Sequence, residues 1–173
     1  MRFLSLFHLS IFFCLSGSAL AETASLPVAE TSPLLKISGG ITHTNFDSRT
    51  GAEAHFDYAL LQALPRKMLF TSTVVTDGVH RFEGFLMRDL LDKVGAKGET
   101  VVATALNDYV IRIPKADFYE YDVLVADTMD GKRLTPRDKG PFWIIYPRNA
   151  HTELQDIRYD YRWVWQLHQL EIQ

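Results

Sequence analysis

Apolar residues recur at helical spacing in two places and at strand-like spacing through most of the remainder. Phe56, Ala59, Leu60, Ala63 and Leu64 fall on one helical face, and Pro65 stops the run. Leu86, Leu90, Leu91 and Val94 share a second face within Phe85–Val94, and Gly95 suits the position just past that helix. Leu34–Ile37 is a short strand candidate, turned by Ser38-Gly39-Gly40. Thr42–Ala54 is polar and reads as loop. Met68–Val75 is rich in β-branched residues and reads as a strand ending before the Asp77-Gly78 turn.

Beyond Gly95 the pattern is mostly β. Thr100–Ala105 and Tyr109–Ile113 are strands separated by Leu106-Asn107-Asp108, with Pro114 closing the second. Val123–Asp127 leads to the tight-turn pair Asp130-Gly131. Phe142–Tyr146 is a continuous apolar run that fits a buried strand, and Trp163–Ile172 reads as a closing strand. Many short strands with a few helices between them predict an α+β domain.

The first residues depart from this pattern. Arg2, the apolar run Phe3–Leu15 and the small-residue site Ala19-Leu20-Ala21 have the form of a secretory signal. Residues 1–21 are thus expected to be removed, leaving a flexible mature N-terminus over 22–33 and a single domain over 34–173. The single arginine points to the general secretory route and a periplasmic protein. Cys14, the one cysteine, lies in the signal, so the mature domain has neither a thiol nor a disulfide. No later segment is apolar for long enough to span a bilayer.

The formal charge is −3 at pH 7. This mildly acidic balance carries no basic stripe, which argues against nucleic-acid binding. His43, His55, His80, His151 and His168 have no i+4 partner and no zinc-type spacing, so no metal site is expected. There is no Gly-x-Ser-x-Gly elbow and no phosphate-binding glycine loop. Arg137, Lys139 and Arg148 flank Gly140–Pro147 as a candidate positive edge. Tyr146, Tyr159, Tyr161, Trp143, Trp163 and Trp165 concentrate aromatics in the last third, where they suit a cleft wall or an interface. Trp143 and Trp165 are expected in the core, and Tyr159 and Tyr161 at the surface.

Several stretches, taken together in order, resemble the oxidoreductase molybdopterin-binding domain of sulfite-oxidase-type enzymes. Phe82-Glu83-Gly84-Phe85-Leu86 followed by Asp89-Leu90-Leu91 is similar to that domain's F-x-G-v-x-L-x-D-L-L stretch. Asn107-Asp108-Tyr109 with Ile113-Pro114 resembles its D-G-Y turn and following strand. Val125-Ala126 leading to Asp130-Gly131-Lys132-Arg133-Leu134 resembles its lA-x-x-x-n-G-x-x-L hairpin. Gly140-Pro141 with Ile144-Ile145-Tyr146-Pro147 resembles its G-x-P-x-R-l-v-v-P strand, and Trp165 lies near its K-W pair. The resemblance runs from about Lys67 to Gln173 and implies a mixed, curved sheet around a pterin-binding cleft.

It also implies a molybdopterin cofactor with molybdenum held by a cysteine in the stretch that matches Met68–Val79. That stretch offers only Thr71, Ser72, Thr73 and Thr76, and a neutral hydroxyl is a poor substitute for a thiolate. The arginine of the family's P-x-R strand falls on Trp143, and the lysine of its K-W pair falls on Val164. The expectation is therefore a non-redox accessory module. Its cleft would bind a small-molecule ligand or a periplasmic partner protein, such as a membrane signalling protein. Thr71, Thr73, Asn107, Asp108 and Arg148 are the residues expected near a bound ligand or cofactor. The alternatives are a molybdopterin-dependent oxidoreductase with a non-cysteine anchor, and a structural module whose cleft is closed by Trp143.

Overall fold

The computed structural model describes residues 25–173; the expected signal segment, 1–21, lies outside them. Two sheets carry the fold. The larger has six strands in the order β2 (Phe46–Ser48), β3 (Gly51–Phe56), β1 (Leu35–Gly39), β11 (Leu167–Ile172), β6 (Thr100–Ala105) and β7 (Val110–Pro114). β1 and β11 run parallel and every other pair is antiparallel, so this sheet is mixed. The smaller sheet is antiparallel, in the order β10 (Trp143–Ile145), β8 (Leu124–Met129), β5 (Val79–Leu86) and β4 (Arg66–Ser72). The two-residue β9 (Lys132–Arg133) pairs with the end of β8.

Four short helices join these strands: α1 (Tyr58–Gln62), α2 (Met87–Lys93), α3 (Asp117–Glu120) and α4 (Ile157–Asp160). The α+β expectation agrees with this content. One apolar cluster runs through the fold; Ile37, Leu167 and Leu170 of the larger sheet join Phe82, Phe85 and Trp143 of the smaller one and Leu90 and Leu91 of α2. Such burial is the main favourable term in folding. Among the described residues, no helix is long and apolar enough to cross a membrane.

Local chemistry explains the helix ends. The Asp57 carboxylate caps α1 by accepting from Leu60 N at 3.0 Å. Gly95 closes α2 with φ at 61°: Gly95 N donates to Asp92 O and Ala96 N to Leu91 O, each at 3.0 Å. This double bond pattern requires a left-handed residue, which glycine supplies without a Cβ penalty.

Four expectations need correction. Thr42–Ala54 is not a loop, because β2 and β3 form a hairpin there with Phe46 opposite Glu53. The second helix starts at Met87, since Phe85 and Leu86 belong to β5. The closing strand begins at Leu167, because Gln166 takes φ 55° and breaks the extended run. The described part of the expected flexible N-terminus, residues 25–33, is tied down. Glu30 N and Thr31 N both donate to Asp57 Oδ2, and Leu26 is buried.

Candidate functional site

A cleft of about 320 Å³ opens between the ends of the two sheets. Val74 and Val75, in the connection from β4 to β5, form one lip. Ala105 ends β6 and contributes with Asn107 and Tyr109 of the following turn. Asp160, the last residue of α4, and Tyr161, Trp163 and Trp165 beyond it complete the wall. The volume lies at the small end of the roughly 300–1,000 Å³ usual for ligand pockets.

The turn explains how two of these residues are held. Asn107 Oδ1 accepts from Tyr109 N at 3.2 Å, and Asp108 takes φ 63° at the corner. The Tyr109 hydroxyl donates to Tyr161 O at 2.9 Å, which joins the turn to the segment after α4. Burial, together with the neighbouring Tyr161, pushes the Tyr109 phenol above its ordinary range, so it stays a neutral donor.

The opposite wall is fixed from behind. Trp163 is 2 % exposed and packs against Tyr146, with ring centroids 6.0 Å apart. The Tyr146 hydroxyl donates to Asp117 Oδ2 at 2.8 Å, and Arg162 forms an ion pair with the same carboxylate. Arg162 also lies over the Tyr159 ring, 4.5 Å from its centroid. The two cations nearest to Asp160 in sequence, Arg158 and Arg162, are thereby each paired with a different carboxylate, Asp156 and Asp117.

Among the described residues, Asp160 is the one charged residue on the cleft wall, and no Lys, Arg or His lines it. Among the described residues, Asp160 Oδ1 is buried without a hydrogen-bond partner, and so is the Trp163 indole Nε1. Two lining residues thus each carry an unpaired polar atom, covered within an otherwise mainly aromatic and aliphatic wall. A buried polar atom left unpaired is costly, and a ligand that pairs it recovers that cost.

Of the five residues expected near a ligand, Asn107 lines the cleft and the other four do not. Thr71 is fully buried, and its hydroxyl is engaged with Asn149 Oδ1 at 3.1 Å and Ser72 O at 3.2 Å. Thr73 is 7 % exposed and shares a 2.7 Å hydrogen bond with Thr76. Asp108 is turned out to solvent. Arg148 lies beside Asn149, and its Nε is buried without a partner. Trp165, expected in the core, is 36 % exposed and lines the cleft. Trp143 is fully buried edge-on to Phe82 at 5.5 Å, so it does not close the cleft. Asp160 was not legible beforehand, because one carboxylate in a charged stretch carries no sequence signal.

Both segments that the resemblance places at the pterin cleft, Met68–Val79 and Asn107–Tyr109, contribute to this wall. The donor set does not suit the cofactor. A molybdopterin is anionic, and the wall offers a carboxylate and no cation. No described residue is a cysteine, and the hydroxyls of Thr71, Ser72, Thr73 and Thr76 are all engaged in internal hydrogen bonds.

No curated protein matches the sequence. Among solved structures, the sulfane dehydrogenase SoxCD from Paracoccus pantotrophus aligns with a TM-score of 0.57 at 17% identity. That alignment covers 80% of this chain and 37% of that chain, so the present sequence spans little more than a third of its length. The likeness is one of fold, and it shows the sulfite-oxidase-type architecture. The profile of the oxidoreductase molybdopterin binding domain matches residues 62–153, more than half of the chain. The chain belongs to the oxidoreductase molybdopterin binding domain family.

Proposed function

We propose that this protein is a non-redox member of its family, an exported periplasmic accessory module that uses the former cofactor cleft to hold a small organic ligand. One observation carries the proposal: the cleft wall has aromatic side chains and two residues with an unpaired polar atom, one of them a carboxylate, where the cofactor would need a thiolate and cations. A preformed, mainly apolar pocket with a few polar groups to fix orientation is the usual form of a small-molecule site. The signal-like segment over residues 1–21 supports export. A periplasmic protein that responds to the loaded cleft, such as a membrane signalling protein, is the partner this role calls for.

The test is to purify the protein from the periplasmic fraction of cells that make the molybdenum cofactor. Molybdenum is measured by mass spectrometry and pterin by fluorescence after oxidation. The expected result is a folded periplasmic protein with neither group in stoichiometric amount. Molybdenum and pterin each near one per chain would overturn the proposal and make the protein an oxidoreductase with a non-cysteine anchor.

A further inference from the structure

We infer that the cleft selects a small organic cation, a substituted ammonium that also carries a hydrogen-bond acceptor. The inference rests on the proposed ligand-binding role and specifies the chemistry of the ligand.

Charge decides the class. The Asp160 carboxylate has no ion-pair or hydrogen-bond partner among the described residues, although nine other acidic residues there have a Lys, Arg or His within ion-pair distance. Its neighbour Arg162 is committed to Asp117 and to the face of Tyr159. A neutral ligand filling the cleft would strip water from the carboxylate and leave it unpaired, which is costly. An anionic ligand would add repulsion. A ligand cation removes both penalties.

The rest of the wall fits the same class. Tyr109, Tyr161 and Trp165, all partly exposed, line the same cleft as Asp160, and aromatic faces attract alkylammonium groups through their quadrupoles. A bare metal ion is poorly served, because no group of three or more metal-ligating side chains exists among the described residues. Trp163 Nε1 is covered and unpartnered in the free protein, and a ligand that displaces its cover would meet it with an acceptor such as a hydroxyl or carbonyl oxygen.

The test titrates the metal-free full-length protein with choline, tetramethylammonium and 3,3-dimethylbutanol, the uncharged shape-match of choline. Binding is followed by the indole N–H signals of Trp163 and Trp165 in nitrogen-15 NMR. Choline is expected to bind about tenfold or more tightly than 3,3-dimethylbutanol. Choline is also expected to shift the Trp163 indole signal further than tetramethylammonium, which has no acceptor. Asp160→Asn should erase the preference for charge. Trp165→Ala, at a part-exposed position that leaves the core intact, should weaken choline by a similar factor. Equal binding of choline and its neutral analogue, or no binding of any cation to folded protein, would overturn the inference. Either result in protein free of molybdenum and pterin would leave the accessory, ligand-holding role in place.

Discussion

Thr71 and Asn149 bind one another twice across 78 residues of sequence: the Thr71 hydroxyl donates to Asn149 Oδ1 at 3.1 Å, and Asn149 N donates to Thr71 Oγ1 at 3.3 Å. Ser72 adds its backbone N at 2.8 Å and its hydroxyl at 2.7 Å to the same Asn149 oxygen. The end of β4 is thus pinned to the segment after β10, just before Val74 and Val75 form the cleft lip. Asn149→Ala removes an acceptor serving three donors. We expect a loss of about 1 kcal/mol in denaturant unfolding, because Asn149 itself is exposed and water replaces part of the bonding. Hydrogen exchange over residues 71–76 should accelerate. Unchanged exchange there would show that the lip is held by something else.

Asp127 is 2 % exposed and receives Arg66 at two points, Nη1 to Oδ2 and Nη2 to Oδ1, each at 2.7 Å. Gln62 of α1 and Thr128 complete its shell at 3.0 and 2.8 Å. Burial alone would raise this carboxyl, but the hydrogen bonds from Arg66, Thr128 and Gln62 outweigh it and hold the group below the ordinary value of 3.8. A depressed folded value means the stabilisation is complete above the unfolded value and is lost as pH falls through the folded one. Asp127→Asn is expected to cost about 3 kcal/mol at neutral pH, near the low end for breaking a buried pair because Arg66 keeps contact with water. Stability measured against pH should also fall less steeply below about pH 4 in the variant. An identical acid slope would remove Asp127 as a source of acid sensitivity.

Gly84 lies at the bulge where β5 crosses β8, with the register shift between Glu83 and Gly84. A Cβ here would overlap Val125 O and approach Ala126 Cα to 2.8 Å. These are backbone atoms of the neighbouring strand, so no side-chain rotation relieves the contact. Gly84→Ala should destabilise the protein by at least about 2 kcal/mol in thermal or denaturant unfolding. A variant as stable as the parent would mean that β5 and β8 separate here at little cost.

The bulge also explains what was hard to read in the sequence. β5 buries Phe82 before it and Gly84, Phe85 and Leu86 after it, so no two-residue alternation survives along the strand. Leu86 instead sits at helical spacing from Leu90, which draws it and the adjacent Phe85 into the helix when the pattern is read from sequence. The β2–β3 hairpin was missed because its outer half is polar and exposed on both faces. α2 was legible because Leu90, Leu91 and Val94 are all fully buried on one face, with Gly95 at the end. β6 and β7 were bounded correctly to within a residue by their Asn-Asp turn and by Pro114. Part of the cleft was also visible. Tyr161, Trp163 and Trp165 stood out as a concentration of aromatics, and Asn107 as a turn residue. Trp165 lines the cleft just before the left-handed Gln166, and a glutamine gives no local sign of such a conformation.

The placement of β11 between β1 and β6 sets the order in which the larger sheet can assemble. A chain emerging from the ribosome or an export channel delivers β1, β2 and β3 first and β6 and β7 later. Their shared neighbour comes after all of them. Until Leu167–Ile172 arrives, the two groups of strands have no ladder in common, and Lys36–Gly39 lacks the parallel partner it finds at Gln169–Ile172. Joining them closes more than 130 residues of intervening chain, a long-range step that is intrinsically slow. A truncation or proteolytic nick within the last strand would therefore split the sheet into two open-edged halves rather than trim its border.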